Sequence, residues 1–444
     1  MIDLKNFFRV LLLSILLGGA AAGACLSAAG ILPLWVIAPA AGSFLILNIC
    51  SSFRFGMGIK LKALADGNDL LCAFLILLIP EIVYVIVSGA VQFGMFSDIF
   101  WYQALIILLS ESILFWNGII RVYICGSMIG GKWRIIGILC GMLPIVNIVV
   151  LMKIITINNS EIRMEENRII RNRERKDRQI CKTRYPILLV HGVFFRDLAK
   201  FNYWGRIPAE LEKNGAALYY GEQESALNIE ESAKQLAEKI EKIIKETGCE
   251  KINIIAHSKG GLDSRYAISK LGMSKYVASL TTINTPHRGC VFAEWLLETT
   301  PESFQQEVAS KYNLAFTLVG DKKPDFLGAV SDLRASFCAQ FNENVPDAEN
   351  VYYQSVGSKI NKALTSVFPL NFSNLLAGRF DGPNDGLVAI DSAKWGDNFT
   401  VLSSRSPDGV SHADVIDLLR HDKPDLDIRE FYVGLVSGLR EKGY

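Results

Sequence analysis

Histidine is scarce in this 444-residue chain, with five copies, and the nine cysteines form neither a C-x-x-C pair nor a Cys/His cluster at metal-ligand spacing. No zinc site or disulfide framework is legible in such a pattern. Cys25, Cys50, Cys72, Cys125 and Cys140 lie in apolar stretches, whereas Cys181, Cys249, Cys290 and Cys338 lie among polar residues. Charge of one sign is missing as well. Lys plus Arg total 46 and Asp plus Glu 45, a formal net charge of +1. That balance supplies no electrostatic footprint for nucleic acid, and no such partner is expected.

What is present divides the chain in two. Up to about Ile157 long apolar runs dominate, and from about Asn158 the residues are an ordinary mixture of charged, polar and apolar types. Two units are also the starting expectation at this length. The reading is a transmembrane helical region over 1–157, a charged, basic linker over 158–184 and a folded domain over 185–444. A helix crosses a bilayer with about 20 consecutive apolar residues. Five stretches qualify, at about 8–28, 32–50, 70–94, 99–124 and 134–156, the first two separated only by Gly30 and Pro33. A lipoprotein signal ending at Cys25 competes for the first stretch, but Ala22 is a poor match for the large aliphatic residue usual there, and further spans follow.

Basic residues in short loops set orientation. With five crossings, Lys5, Arg9, Arg54, Lys60, Lys62, Arg121, Lys132 and Arg134 share one side, which puts the amino terminus in the cytoplasm and the polar domain outside a multi-pass cell-membrane protein. Arg163, Arg168, Arg171, Arg173, Arg175, Lys176 and Arg178, just past the last span, argue the other way. They also suit a solvated helix near anionic headgroups. Glu81 and Glu111 sit mid-span, where an ionisable group is costly and marks either function or a protonated packing contact.

From Tyr185 onward the pattern alternates strand and helix. Ile187 to Val190 is an aliphatic run ending at His191-Gly192. Asn228 reads as an N-cap with Glu231 three residues on, and Ile229, Ala233, Leu236, Ile240 and Ile244 form a helical stripe closed by Gly248. A strand over Lys251 to Ala256, a helix from about Gly260 and a strand near Val277 to Ile283 follow. This alternation predicts an α/β domain with a mostly parallel sheet covered on both faces and catalytic loops at the strands' carboxyl ends.

Between the second of those strands and the next helix stands Ala256-His257-Ser258-Lys259-Gly260-Gly261. A serine hydroxyl is a poor nucleophile, and a sharp strand-to-helix turn exposes it beside the following backbone N–H, where negative charge develops on an attacked carbonyl. Small residues at Ala256 and Gly260 suit that turn, although a serine in an ordinary turn would show the same few letters. The base should be a late histidine: His412, in the polar turn Ser406-Pro407-Asp408-Gly409-Val410-Ser411, or His421, at an apparent helix end. Asp385 in Asn384-Asp385-Gly386-Leu387-Val388 is a candidate acid, and Asp381 a second.

Four segments together, Tyr185 to Val193, Ala256 to Gly261, Thr285-Pro286-His287-Arg288-Gly289 and Asn384 to Val388, resemble the secreted bacterial triacylglycerol lipases of the α/β-hydrolase superfamily. The likeness covers about 185–444. It implies Ser258 as nucleophile, Asp385 as acid, His412 as base, and the backbone N–H groups of Val193 and Lys259 as oxyanion hole. No cofactor is needed for such chemistry. The resembling enzymes bind structural calcium through an aspartate that would be Asp414 here, but their second aspartate has no clear counterpart. Lys259 replaces their Gln or Met, and their pattern lacks the membrane region.

The segment 290–349, with Phe292, Trp295, Leu296, Leu297, Phe304, Tyr312, Leu314 and Phe316, stands where such enzymes carry a mobile apolar lid; cap-helix core is the plain alternative. The expected function is membrane-anchored cleavage of carboxylic esters, with lipids or triacylglycerol-type molecules as substrates. One rival keeps the triad, an acyltransferase or acyl-protein thioesterase, and another is of a different class, a transport or signalling protein carrying a non-catalytic hydrolase-like domain.

Overall fold

The computed structural model describes residues 4–51, 54, 56–143, 145–193, 203–224, 226–318, 321–322, 324–365, 370–420, 422–423 and 425–444. The chain splits into two compact units, Met1–Ile169 and Ile170–Tyr444.

The first unit is helical: α1 (Leu4–Ala28), α2 (Ile37–Ile49), α3 (Ile59–Val87), α4 (Asp98–Cys125), α5 (Gly130–Cys140) and α6 (Val146–Arg175). Asn6–Ala28, Ile59–Phe93 and Asp98–Cys125 are long and apolar enough to cross a membrane, and Leu34–Ile49 is a shorter apolar stretch. Glu81 on α3 and Glu111 on α4 are both buried.

Three expectations change. The helix that carries the third apolar stretch begins at Ile59 rather than near 70, because the acidic residues in its early turns are paired inside the helical unit: Arg9 and Arg54 reach Asp69 at 3.1 and 3.4 Å, and Arg121 reaches Asp66 at 3.6 Å. The run 134–156 is not one helix; α5 ends at Cys140 and α6 starts at Val146, after Ile145 at φ 67°. Gly141 and Pro144 interrupt that run in sequence, and apolar composition does not outweigh such breakers. The stretch read as a linker, 158–184, is helical to Arg175, followed by a 3₁₀ turn over Lys176–Arg178. It is rich in charge but contains no Gly or Pro, and charge alone does not stop a helix.

The middle of α6 belongs with the charged ends of the other helices. Asn68 Nδ2 donates to Asn159 Oδ1 (2.9 Å), the Ser127 and Met128 N–H groups donate to the Glu161 carboxylate, and Arg54 pairs with Glu166 at 2.9 Å.

The second unit is built on β1 (Ile187–Val190), β2 (Leu218–Tyr220), β3 (Ile252–His257), β4 (Val277–Ile283), β5 (Tyr352–Ser358) and β6 (Asn398–Leu402). They form one six-stranded sheet in the order β2-β1-β3-β4-β5-β6, every pair parallel. Alternate side chains of β1 enter different cores, as the two-residue repeat of a strand requires. Ile187 and Leu189 pack with Trp204, Leu211, Tyr432 and Val436 under α7 (Ile207–Lys213) and α16 (Ile428–Glu441). Leu188 and Val190 pack with Leu236, Ile240, Ile254 and Ile268 under α8 (Ile229–Thr247) and α9 (Lys259–Lys270). Burial on both faces is why β1 reads as a continuous apolar run and β3 as a nearly continuous one, while β4, buried throughout, also holds Ser279, Thr281 and Thr282.

The amphipathic α8 carries the expected signals. Asn228 Oδ1 accepts the Glu231 N–H at 2.9 Å, and Gly248 closes the helix at φ 68°. Between β4 and β5 lie α10 (Val291–Thr299), α11 (Glu302–Leu318), α12 (Phe326–Ser331) and α13 (Ala335–Asn344), and between β5 and β6 lie α14 (Leu370–Phe380) and the short α15 (Ile390–Ala393).

Candidate active site

Ser258 stands between β3 and α9 at φ 55° and ψ −133°, a backbone conformation that a non-glycine residue occupies only under strain. The surroundings hold it there. Its N–H donates to the Ile283 carbonyl (2.9 Å), and its own carbonyl accepts the Thr285 hydroxyl (2.7 Å). Close packing explains the flanking small residues: a Cβ on Gly260 would collide with the His191 carbonyl, and one on Gly192 would lie 2.7 Å from Ser258 Cβ. The loop after β1 therefore rests directly against the serine.

That loop carries Val193, the last described residue before 203. Its backbone is fixed by side chains from elsewhere. His191 bridges through its ring to the Gln223 carbonyl (2.9 Å), while Gln223 Nε2 donates to the His191 carbonyl (3.0 Å). The Tyr203 hydroxyl accepts the Gly192 N–H (3.1 Å) and shares a 2.6 Å hydrogen bond with His257 Nδ1. Tyr203 and Gln223 escaped the reading of the sequence because neither belongs to a local motif; only the folded chain brings them to the β1 loop.

Asp385 and His412, 27 positions apart, are brought together. His412 Nδ1 lies 2.7 Å from Asp385 Oδ2, and the His412 N–H donates to the Asp385 carbonyl at 2.9 Å. Asp385 is fully buried; its Oδ1 accepts the N–H groups of Leu387 (2.9 Å) and Val388 (2.8 Å), and its Oδ2 also accepts Asn284 Nδ2. A carboxylate so held fixes the orientation of an imidazole and favours the tautomer with the proton on Nδ1. The His412 ring lies 4.4 Å, centroid to centroid, from the ring of His257, the residue preceding Ser258. Burial pushes the His257 imidazolium well below its ordinary pKa, so this neighbour stays neutral. Among the described residues no hydrogen bond joins the Ser258 hydroxyl to His412; such contacts commonly tighten only when substrate is bound.

The second candidate acid has a different surrounding. Asp381 accepts the N–H groups of Val291 (2.9 Å) and Phe292 (3.0 Å), which are otherwise unsatisfied at the start of α10. His421 lies outside the described residues. Asp414 accepts the Ser411 N–H (2.9 Å) and hydroxyl (2.7 Å) and pairs with Lys423 at 3.1 Å. Lys423 also meets Asp408 at 2.5 Å. With an ammonium already bridging both carboxylates, the residues around Asp414 do not fit a calcium ion, which takes six to eight oxygen ligands.

In the insertion, Cys338 and Phe341 are buried against Ile229 and Leu262, whereas Trp295, Leu296, Phe304, Tyr312 and Leu314 are exposed. Trp295 packs against Phe380 of α14 with ring centroids 5.2 Å apart and planes tilted by 31°, and Phe292 stacks on Trp295 at 6.2 Å. The insertion thus contains both core residues and an open apolar surface. The Phe316 side chain is outside the described residues.

An all-parallel sheet in this order, with a serine on the turn between β3 and α9 and an Asp–His pair on later loops, defines an α/β-hydrolase. Residues 219–331 match the family described as "Putative serine esterase (DUF676)". A triacylglycerol lipase of Vibrio cholerae is 32% identical over 237 residues, 48% of this chain and 75% of that protein. The chain belongs to the triacylglycerol lipase family. A further triacylglycerol lipase, of Pseudarthrobacter phenanthrenivorans, is 36% identical over 181 residues, 37% of this chain and 55% of that one. The chain spans about half the length of the first two curated relatives it matches, at 55% and 49%. Among solved structures, the mature lipase BlEst2 of Bacillus licheniformis is similar at 23% identity and a TM-score of 0.41, covering 53% of this chain and 87% of that one.

Proposed function

We propose that the protein is a membrane-anchored serine hydrolase that cleaves the carboxylic esters of lipids through Ser258, His412 and Asp385. The observation that carries this reading is the Asp385–His412 pair at 2.7 Å, with its imidazole against the residue next to a strained Ser258. In the first step the Ser258 oxygen attacks the ester carbonyl while His412 takes the hydroxyl proton. His412 then gives that proton to the departing alkoxide, which leaves as alcohol. Water attacks the acyl-serine, again deprotonated by His412, and the fatty acid leaves as Ser258 regains its proton. The N–H groups of Val193 and Lys259 stabilise the oxyanion of each tetrahedral intermediate, an effect worth about 100- to 1000-fold per donor. Each of these steps uses only Ser258, His412, Asp385, water and the two N–H groups.

Lipid esters are favoured over small soluble ones by the exposed apolar side chains of α10 and α11, which suit a lid at a lipid surface, and by the apolar helices of the first unit. The side of the membrane depends on the number of crossings. On a count in which the short Leu34–Ile49 stretch crosses along with the three long apolar helices, and α5 and α6 add no crossing, the chain after α4 is on the same side as Lys5 and Arg9. The bias of basic residues then puts the hydrolase in the cytoplasm, opposite to what five crossings imply.

The test is fluorophosphonate labelling and turnover of p-nitrophenyl esters of long acids by the full-length protein and by Ser258→Ala. The wild type should label and release free acid, and the variant should do neither; ester cleavage by Ser258→Ala rejects the assignment. An added alcohol that diverts most product to a new ester would make the protein an acyltransferase instead.

A further inference from the structure

Lys259 follows the nucleophile, and its side chain is almost wholly inside the protein at 1% exposure. Taking an ammonium out of water costs several kcal/mol unless it is paired and hydrogen-bonded. Here it is both. Lys259 Nζ donates to Asp263 Oδ1 at 2.7 Å, one turn further along α9, and to Ser232 Oγ at 2.9 Å, on the first turn of α8. Asp263 is itself only 2% exposed. Burial pushes its carboxyl up to about 7, while the Lys259 charge acts in the opposite direction. A third group joins from the insertion. Asp332, between α12 and α13, feels the Lys259 charge and accepts the Ile229 N–H at 2.7 Å, satisfying the start of α8.

One ammonium therefore ties α9 to α8, and it is attached to the peptide that follows Ser258. The two roles of this residue are linked by covalent geometry. An oxyanion donor must sit about 2.7–3.1 Å from the developing charge, and an error of about 1 Å can cost about 100-fold in rate. With its far end held by two hydrogen bonds, the Lys259 side chain restricts how the first turn of α9 can rotate or slide. We propose that Lys259 is a positioning residue: its side chain, anchored on Asp263 and Ser232, holds its own backbone N–H in the place where that group stabilises the oxyanion. The proposal rests on the serine-hydrolase reading above.

The experiment compares full-length wild type with Lys259→Met, Lys259→Met/Asp263→Leu and Ser232→Ala. It measures kcat and KM for a long-chain p-nitrophenyl ester, fluorophosphonate labelling rate and thermal midpoint. Lys259→Met should lower kcat and labelling rate about 10- to 100-fold with KM within about two-fold, since a displaced donor affects the transition state and not substrate binding. The double variant removes both charges and should recover the thermal midpoint while kcat stays at least about 10-fold low. If kcat recovers together with the midpoint, or if Lys259→Met keeps wild-type kcat, the side chain is merely structural and the proposal falls. Should Lys259→Met not fold, Ser232→Ala decides, because it removes one anchor without leaving a buried charge unpaired: a fall in kcat at constant KM supports the proposal and wild-type kcat overturns it. Failure of the wild type itself to label or turn over ester overturns the hydrolase reading, and is told apart because no variant is involved.

Discussion

Asp381 and Asp385 carry the same functional group four positions apart, and only their partners separate them. Asp385 is fully buried and faces an imidazole and three N–H donors, while Asp381 receives two backbone N–H groups at a helix start. Replacing Asp385 with Asn keeps the shape but turns an acceptor facing His412 Nδ1 into a donor, which favours the unproductive tautomer. Steady-state kinetics should show Asp385→Asn losing about three to four orders of magnitude in kcat, by the behaviour of such triads elsewhere. Asp381→Ala should keep kcat within a few-fold and instead lose about 0.5–2 kcal/mol of stability, the ordinary value of a helix-start acceptor. The opposite pattern would exchange the two assignments. From the sequence these residues were ranked by a motif alone, since an aspartate in a turn looks the same whether it serves a histidine or a neighbouring helix.

At the scale of elements, the strands and helices with strong periodicity were legible and the others were not. A continuous aliphatic run located β1 and a nearly continuous one β3, β4 was placed near Val277 to Ile283, and the Asn228 cap with the Gly248 stop located α8 within a residue. β2 is three residues long, β5 reads Tyr-Tyr-Gln-Ser-Val-Gly-Ser, and β6 is a largely exposed edge, so none has the apolar signature of a central strand. The His412 loop shows the same limit. Its turn residues were plain, but the ion pairs that hold it come from positions a sequence pattern does not connect. Lys423 joins Asp408 to Asp414 on either side of His412, and Arg206 from before α7 binds both Asp417 and Asp422. If Lys423 does the work of a cation there, EGTA should leave both kcat and the thermal midpoint unchanged. Lys423→Met should lower kcat, because two carboxylates flanking the base are left facing each other, and millimolar calcium should restore part of the loss. Inactivation of the wild type by EGTA would contradict this account of the loop.

For the whole molecule, the composition shift near residue 157 located two units, but the boundary by contacts falls at Ile170, inside α6. The difference has a physical cause, because the last turns of α6 belong to the second unit. Arg175 makes a paired contact with Glu430 at 2.6 and 2.8 Å, Arg171 meets Asp427 at 3.0 Å, and Asn172 bonds Asn214 at 3.3 Å. Beyond the helix, Cys181 is fully buried in the core under α7 and α16, with Ile180 packed against it, and Arg440 donates to the carbonyls of Arg178 and Gln179. A fragment starting at Tyr185, where the motif-bearing part begins, would lose all of these contacts, whereas one starting at Ile170 keeps them. Burial of Cys181 and part of Ile180 is worth about 2 kcal/mol by apolar area, and the partly exposed ion pairs add up to about 1 kcal/mol. With about 2–4 °C per kcal/mol for a domain of this size, the 170–444 fragment should melt about 5–10 °C above the 185–444 fragment by differential scanning calorimetry. Equal midpoints would mean that the second unit begins after the 3₁₀ turn and that the end of α6 is only a tether.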